Sequence, residues 1–234
     1  MRLWLTFFYA LLPGQCIVCQ NKSGRHLDLC IGCQRDLKMS KRRCWQCGLE
    51  LARLDDIDSC AHCIKHPPAF SHCFALYHYE KPVSTLIQQF KGQNKLAIGR
   101  VLGLLLGHQY TRRHSFPPDY WLPVPLHPSA LRARGFNQAH ELAIHVANQT
   151  NKPVLRSGVK RIRKTLAQKH LTSVQRVSNM KDAFQCNLDL RGVRIGIIDD
   201  VVTTGSTVSS LAETLIKAGA IDIQVACLAR TRIR

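Results

Sequence analysis

Residues 193–208, VRIGIIDDVVTTGSTV, carry the strongest fold signal in this chain. The stretch begins as a buried strand that Asp199-Asp200 closes, and its apolar residues are Val193, Ile195, Ile197 and Ile198. A helix follows, ending near Gly219, and its predicted apolar face is Val208, Leu211, Ala212, Leu215 and Ile216. Alternating apolar residues then predict the next strand, at Ile221, Ile223, Val225 and Cys227. A complete β-loop-α-β unit of this kind indicates a parallel sheet.

The loop between this strand and helix has a composition that suits a phosphate monoester. A helix N-terminus presents backbone N–H groups and the positive end of the helix dipole, and hydroxyl side chains add donors. The two acids at the carboxyl end of the strand suit sugar hydroxyls, or a magnesium ion held through water. Neither GxxxxGK[ST] nor GxGxxG is present. The loop residues are Thr203, Thr204, Gly205, Ser206 and Thr207.

Further strands and helices alternate on the N-terminal side of this unit. Short apolar stretches at 73–79 and 121–126 predict strands, the second ending at a proline-rich loop. Helical periodicity predicts helices at 83–90, 96–110 and 137–148. The body is therefore predicted to be α/β with a largely parallel sheet.

The 193–208 stretch resembles the phosphoribosyl-diphosphate (PRPP) signature of type I phosphoribosyltransferases. The resemblance implies that Asp199 and Asp200 contact the ribose hydroxyls and are the catalytic acids, and that the Thr-rich loop holds the 5-phosphate. It also implies Mg²⁺ bound together with PRPP. The implied PRPP-binding set is Asp199, Asp200, Val201, Thr203, Thr204, Gly205, Ser206 and Thr207.

Across nearly the whole chain, the sequence resembles the ComF/GntX-like family. Two further segments carry this resemblance, Arg134-Gly135-Phe136-Asn137-Gln138 and the polar run from Arg163 to Phe184. The family joins a cysteine-rich zinc-ribbon head to a phosphoribosyltransferase-like body with helices on both faces of a parallel sheet. The resemblance implies a part in DNA uptake during natural transformation, with single-stranded DNA and other DNA-uptake proteins as partners at the cytoplasmic side.

Nine of the eleven cysteines lie in the first 73 residues. Four thiolates in tetrahedral geometry form a closed structural zinc site, so eight cysteines in CxxC pairs predict two structural Zn²⁺ ions. The spacing leaves the pairing open between sequential ribbons and a cross-brace. Cys73 is expected to be a buried apolar residue, and His62 and His66 are weaker candidate ligands. The CxxC pairs are Cys16/Cys19, Cys30/Cys33, Cys44/Cys47 and Cys60/Cys63.

The cysteine distribution divides the chain in two. We expect a double zinc-ribbon-like domain at residues 1–68 and a phosphoribosyltransferase-like domain at 69–234, joined at Pro67-Pro68. The apolar run at 3–12 is too short for a membrane span and lacks a signal-peptide cleavage site, so a short packed helix is expected. We therefore expect a cytoplasmic protein without a membrane span, in which thiols stay reduced and bind metal.

The chain is strongly basic, with 33 Lys and Arg against 15 Asp and Glu, a formal net charge of +18. A hydrophobic content of 45% excludes a disordered basic tail, and the charge favours a polyanionic or phosphorylated partner. Arg134, Arg163 and Lys164 are candidate phosphate contacts, and the acid-free stretch from Arg156 resembles the flexible loop of type I enzymes. Trp45, beside Lys41-Arg42-Arg43, is either a base-stacking residue or a core residue.

Two functions from different classes remain open on these observations. The first is a ComF-type protein that binds PRPP and nucleic acid and acts in DNA uptake. The alternative is an active Mg²⁺-dependent phosphoribosyltransferase acting on a base or amine that no motif identifies, with catalysis by electrostatic stabilisation of the diphosphate leaving group.

Overall fold

The computed structural model describes residues 14–39, 42–51, 58–93, 95–163 and 182–232. The helix expected at 3–12, Lys41 and Lys164 lie outside these ranges. Within them the chain forms thirteen helices and strands. In order they are α1 (Ile31–Asp36), α2 (Ala61–Lys65), β1 (His72–His78), α3 (Val83–Gln93), α4 (Leu96–Arg113), β2 (Tyr120–Pro123), α5 (Pro128–Arg134), α6 (Gln138–Thr150), β3 (Val159–Arg161), β4 (Phe184–Cys186), β5 (Arg194–Val202), α7 (Ser206–Lys217) and β6 (Asp222–Arg230).

Four of the strands form one parallel sheet in the order β1-β6-β5-β2. Successive side chains of a strand point to opposite faces, and β6 shows this clearly. Val225 and Cys227 pack with α7 on one face, while Ala226 and Leu228 pack with α3, α4 and α6 on the other. The predicted parallel sheet with helices on both faces is confirmed.

The helices α4 and α6 approach closely because α4 carries glycines on the contact side. A Cβ at Gly103 would lie 3.0 Å from the His145 side chain, and one at Gly107 would lie 2.9 Å from that of Gln149. Behind this contact, the buried Trp121 indole donates a 2.8 Å hydrogen bond to Thr150 Oγ1. The predicted helix at 96–110 is thus buried along most of its length.

One predicted boundary and one predicted burial differ from the structure. The strand expected to close at Asp199-Asp200 continues to Val202, because β6 goes on pairing with it there. Ile216 was expected on the buried face of α7, but 47% of this residue is exposed. The neighbouring Leu215 is buried and lies on that face, as predicted. Gly219, with φ +102°, follows the C-cap residue Ala218 by one position.

No sequence pattern predicted the small antiparallel pair of β3 and β4. Each strand has only three residues, too few for an alternating pattern to appear. The pairing is extended by a 2.9 Å hydrogen bond from Ile162 N to Ala183 O. The two ends of the segment between residues 163 and 182 are therefore held side by side.

Candidate functional site

The paired acids lie at the carboxyl end of the parallel sheet, where ligands of open α/β sheets bind. β2 pairs with β5 only as far as Pro123 and Ile198, followed by one hydrogen bond from Val124 N to Ile198 O. Past this point, among the residues that the structure describes, β5 pairs with β6 alone. Asp199 and Asp200 come directly after the last residue paired with β2.

The two acids are held differently. Asp200 is 3% exposed, its Oδ1 accepts a 2.8 Å hydrogen bond from Val201 N, and its Oδ2 lies 2.6 Å from Lys91 Nζ. Asp199 is only partly buried, and its Oδ1 accepts a 2.8 Å hydrogen bond from Asp200 N. Desolvation raises the pKa of Asp199 to about 6, although the charges of Lys91 and Arg161 oppose this shift.

The loop after β5 turns into α7 at Gly205, whose φ of +89° lies in the left-handed region. Thr204 Oγ1 lies 3.0 Å from Ser206 Oγ and accepts a 3.4 Å hydrogen bond from Ser206 N. All five residues from Thr203 to Thr207 are partly exposed. The loop thus offers hydroxyl groups and the N-terminal end of a twelve-residue helix to a ligand beside the acids.

Two cationic side chains act on the acid pair, and a third acts on one of those two. Lys91 reaches Asp200 from the last turn of α3. Arg161, on β3, has its guanidinium 5.7 Å from the centre of the Phe184 ring and interacts electrostatically with Asp199. Arg134, at the end of α5, donates a 2.5 Å hydrogen bond from Nη1 to Gln138 Oε1. Its charge adds to burial in lowering the pKa of Lys91 to about 8, while the Asp199 charge opposes this.

The structure brings together most of the residues selected from the sequence. Asp199 to Thr207 follow one another at one end of the sheet. The charge of Arg134 acts on Lys91, which in turn contacts Asp200. Arg163 follows β3, and Lys164 lies outside the described residues. Sequence reasoning missed Lys91 and Arg161, because one polar residue on an amphipathic helix or in a basic run resembles ordinary surface charge.

The eight predicted zinc ligands form two groups of four thiols. Within each group, all sulfurs lie within 4.8 Å of one another. The Cys19 and Cys30 sulfurs are 3.9 Å apart, and those of Cys47 and Cys60 are 3.7 Å apart. Zn–S bonds of about 2.3 Å in a tetrahedron place sulfurs roughly 3.8 Å apart, so both groups fit Zn²⁺. The groups are Cys16/Cys19/Cys30/Cys33 and Cys44/Cys47/Cys60/Cys63, the sequential pairing, without His62 or His66.

The thiol environments also fit a structural metal. At Cys16, burial is outweighed by hydrogen bonds from the backbone of Cys19 and Cys30, which lower the pKa of the thiol to about 6. At Cys33, burial and the neighbouring thiols raise the pKa to about 12. A zinc ion binds the deprotonated form of every ligand and would supply the positive charge that such crowded thiolates require. Cys73 lies in the hydrophobic core, as expected.

The second ribbon, which contains Cys44 and Cys47, is joined to the parallel sheet by hydrogen bonds. Cys73 N donates to Trp45 O at 3.0 Å. The buried Arg230 donates from Nε to Cys47 O at 2.9 Å and from Nη1 to Val202 O at 3.0 Å. Trp45 itself is 52% exposed and rests against the His72 ring at 4.0 Å between centroids, so the core interpretation of this residue is wrong.

None of the helices in the described ranges is both long and apolar enough to cross a bilayer. The fold and the two four-cysteine groups define a protein with a double zinc ribbon and a parallel α/β body. A family model described as "Double zinc ribbon domain" matches residues 7–64.

Relatives along nearly the whole chain give the family. Competence protein F of Haemophilus influenzae is 36% identical over 224 residues, covering 92% of this chain and 96% of that protein. DNA utilization protein YhgH of Salmonella typhimurium is 34% identical over 225 residues, covering 94% and 98%. The chain belongs to the family of competence protein F and YhgH, which confirms the ComF resemblance.

The comparison with solved structures found phosphoribosyltransferases at low similarity. A purine phosphoribosyltransferase from Pyrococcus horikoshii Ot3 has 21% identity and a TM-score of 0.35, covering 55% of this chain and 70% of that chain. Glutamine PRPP amidotransferase from B. subtilis has 18% identity and a TM-score of 0.38, covering 56% and 26%. The family assignment rests on the sequence relatives alone.

Proposed function

We propose that this protein acts in DNA utilisation, with an α/β body that binds a phosphorylated ribose of the PRPP class and a basic surface that contacts single-stranded DNA. The names of its relatives, a competence protein and a DNA utilization protein, support the first part. The proposed setting is the cytoplasmic side of DNA uptake. The proposed units are a zinc-ribbon domain at 1–68 and a PRPP-binding domain at 69–234.

The observation that carries the ligand proposal is the run from Asp199 to Thr207 at the carboxyl end of β5. Ribose hydroxyls would donate to the carboxylate of Asp199, which is partly exposed. A 5-phosphate would accept hydrogen bonds from Thr203 to Thr207 at the start of α7. Arg134, Arg161 and Arg163 are the candidate contacts for a diphosphate, and any Mg²⁺ would arrive bound to that diphosphate.

The test is a binding measurement with a matched pair of threonine variants. PRPP with Mg²⁺, and ribose 5-phosphate, should each raise the melting temperature of the wild type. Thr204→Val should weaken ribose 5-phosphate binding by tenfold or more, because a hydrogen bond to a charged group contributes about 1.5–3 kcal/mol. Thr214→Val is the control, since its hydroxyl bonds Ser210 O inside α7.

An absence of any thermal shift with either ligand at millimolar concentration would contradict the phosphate site. Equal losses in the Thr204 and Thr214 variants would contradict the role of the loop. Isothermal titration calorimetry on the zinc-loaded full chain measures both affinities directly.

Glycosyl transfer from PRPP is the second candidate function. The observation that favours it is the pair of cations Lys91 and Arg161 beside the acids, with Arg134 acting on Lys91, because such charges suit a departing diphosphate. Release of diphosphate from PRPP, assayed with and without purine, pyrimidine and amine acceptors, separates this candidate from ligand binding alone. Turnover that depends on an acceptor would establish the enzyme, and binding without turnover would contradict it.

A further inference from the structure

Lys91 already occupies the position at the acid pair that a bound cation would need. Its Nζ lies 2.6 Å from Asp200 Oδ2, and the Asp200 side chain is only 4% exposed. Asp200 Oδ1 accepts a hydrogen bond from Val201 N, and Oδ2 forms the ion pair with Lys91, so both oxygens of this carboxylate are in contact with other groups of the protein. Asp200 is therefore both neutralised and fixed in orientation before any ligand arrives.

The surrounding charges make a second cation unfavourable. Asp199 and Asp200 together carry two negative charges when ionised, and Lys91 and Arg161 bring two positive charges into their electrostatic environment. The charge of Arg134 acts on Lys91. Burial lowers the pKa of Lys91 to about 8, so its ammonium remains mostly charged at pH 7. A divalent ion placed among these groups would turn this balance into a positive surplus.

The coordination preferences of Mg²⁺ also disfavour a metal ion at the acid pair. Mg²⁺ requires near-octahedral oxygen ligands at about 2.0–2.1 Å and gives up its water reluctantly. To bind Asp200 it would have to displace an ammonium in contact with a buried oxygen. The acid pair therefore does not fit a resident metal.

We propose that Lys91 is the built-in counter-ion of the acid pair, which keeps free divalent cations off both carboxylates and positions Asp200 behind the ligand-facing Asp199. The site would consequently take a phosphorylated ribose without a metal of its own, and metal would enter only on a ligand's diphosphate. This inference rests on the proposed ligand class, but the part that concerns binding of divalent cations can be tested independently of that ligand.

The experiment uses zinc-loaded full-length protein, with Mn²⁺ as an electron paramagnetic resonance probe for Mg²⁺. Four proteins are compared: the wild type, Lys91→Met, Lys91→Arg and Lys95→Met. Lys95 is an exposed lysine four residues further on and serves as the matched control. Lys91→Met should bind Mn²⁺ at least tenfold tighter than the other three, which should bind it only at millimolar concentration.

A parallel titration with ribose 5-phosphate in metal-free buffer measures the positioning role. Lys91→Met should lose at least tenfold in affinity, and Lys91→Arg should recover most of it. Melting curves and zinc content report whether each variant is folded. If Lys91→Met does not fold, Lys91→Gln removes the same charge while keeping a hydrogen-bond donor and takes its place in the test.

Micromolar Mn²⁺ binding by the ligand-free wild type would overturn the proposal. It would also fall if Lys91→Met bound Mn²⁺ no tighter than Lys95→Met. Should the Mn²⁺ pattern appear as expected while no protein binds ribose 5-phosphate or PRPP, the counter-ion assignment stands and the proposed ligand class fails.

Discussion

Asp199 and Asp200 are adjacent and chemically identical, but their surroundings differ. Asp200 is buried with one oxygen against a lysine, whereas Asp199 has no ion pair of that kind within the described residues and retains partial exposure. A carboxylate that loses water without gaining a close countercharge is less stable when ionised. Asp199 is thus the acid of the pair that a hydroxyl-bearing ligand would stabilise most.

This difference predicts a pH-dependent effect of Asp199→Asn. The folded-state pKa of Asp199, about 6, lies above its ordinary value of 3.8, so the protein loses stability as pH rises through that interval. Asparagine keeps the acceptor for Asp200 N but cannot ionise. We expect Asp199→Asn to raise the free energy of unfolding by about 1–3 kcal/mol above pH 7, with a smaller gain near pH 4.5.

Chemical denaturation at pH 4.5, 5.5 and 7.5 checks this expectation. Glu213→Gln is the control, because Glu213 is an exposed acid on α7. An Asp199→Asn effect that is constant with pH, or that matches the control, would show that desolvation of Asp199 is not the cause.

At the scale of single elements, the unit from β5 to β6 was largely predictable, because strand, loop and helix each carry a local signal. The extension of β5 to Val202 was not, since it depends on pairing with Ala229 and Arg230 of β6. The same limit applies to Lys91. Its contact with Asp200 joins α3 to β5 across more than one hundred residues of sequence, and no local pattern encodes it.

The turn into α7 gives a prediction at this scale. Gly205 has φ +89°, and a Cβ added there would meet nothing within 4 Å, so Gly205→Ala costs only backbone strain. We expect a loss of about 1–2 kcal/mol in stability, together with at least a fivefold loss of ribose 5-phosphate affinity as the loop changes shape.

Gly192 provides the matched control for this substitution. It has φ +76° and equally open space, but it precedes β5 at the opposite end of the strand. Gly192→Ala should cost similar stability and leave ligand affinity unchanged. If both variants lost affinity alike, general destabilisation would explain the effect and the loop geometry would not.

Across the whole molecule, the sequence predicted two metal sites and a parallel α/β body but not how they are joined. The connection through Arg230 is formed by one buried guanidinium that bonds carbonyl groups of Cys47 and Val202. Arg230 is one of many basic residues, and no local sequence pattern identifies it as the residue that joins the ribbon to the sheet. The net charge of +18 likewise gives no location for a binding surface.

The exposed Trp45 suggests where single-stranded DNA would meet this surface. It is held between the two ligands Cys44 and Cys47 and rests against His72. Since base stacking on an aromatic residue contributes about 1–3 kcal/mol, Trp45→Ala should weaken oligothymidine binding at least fivefold. The slope of log affinity against log salt concentration should stay unchanged, because that slope counts phosphate contacts.

Fluorescence anisotropy over a series of salt concentrations measures both quantities. Phe116→Ala is the control, as Phe116 is 77% exposed and outside the zinc ribbons. Zinc content must be equal in all proteins compared. Affinity that does not depend on salt, or equal losses in the two variants, would contradict the proposed DNA surface.

The pairing of β3 with β4 has a consequence for how this family can diversify. Because Ile162 N donates to Ala183 O, residues 162 and 183 are held beside each other by backbone groups, which every residue except proline supplies. A substitution on β3 or β4 can therefore change the surface beside the acid pair and keep the pairing. Selection could in this way adjust the contacts of Arg161 and its neighbours to a new ligand while the sheet and the ribbons stay the same.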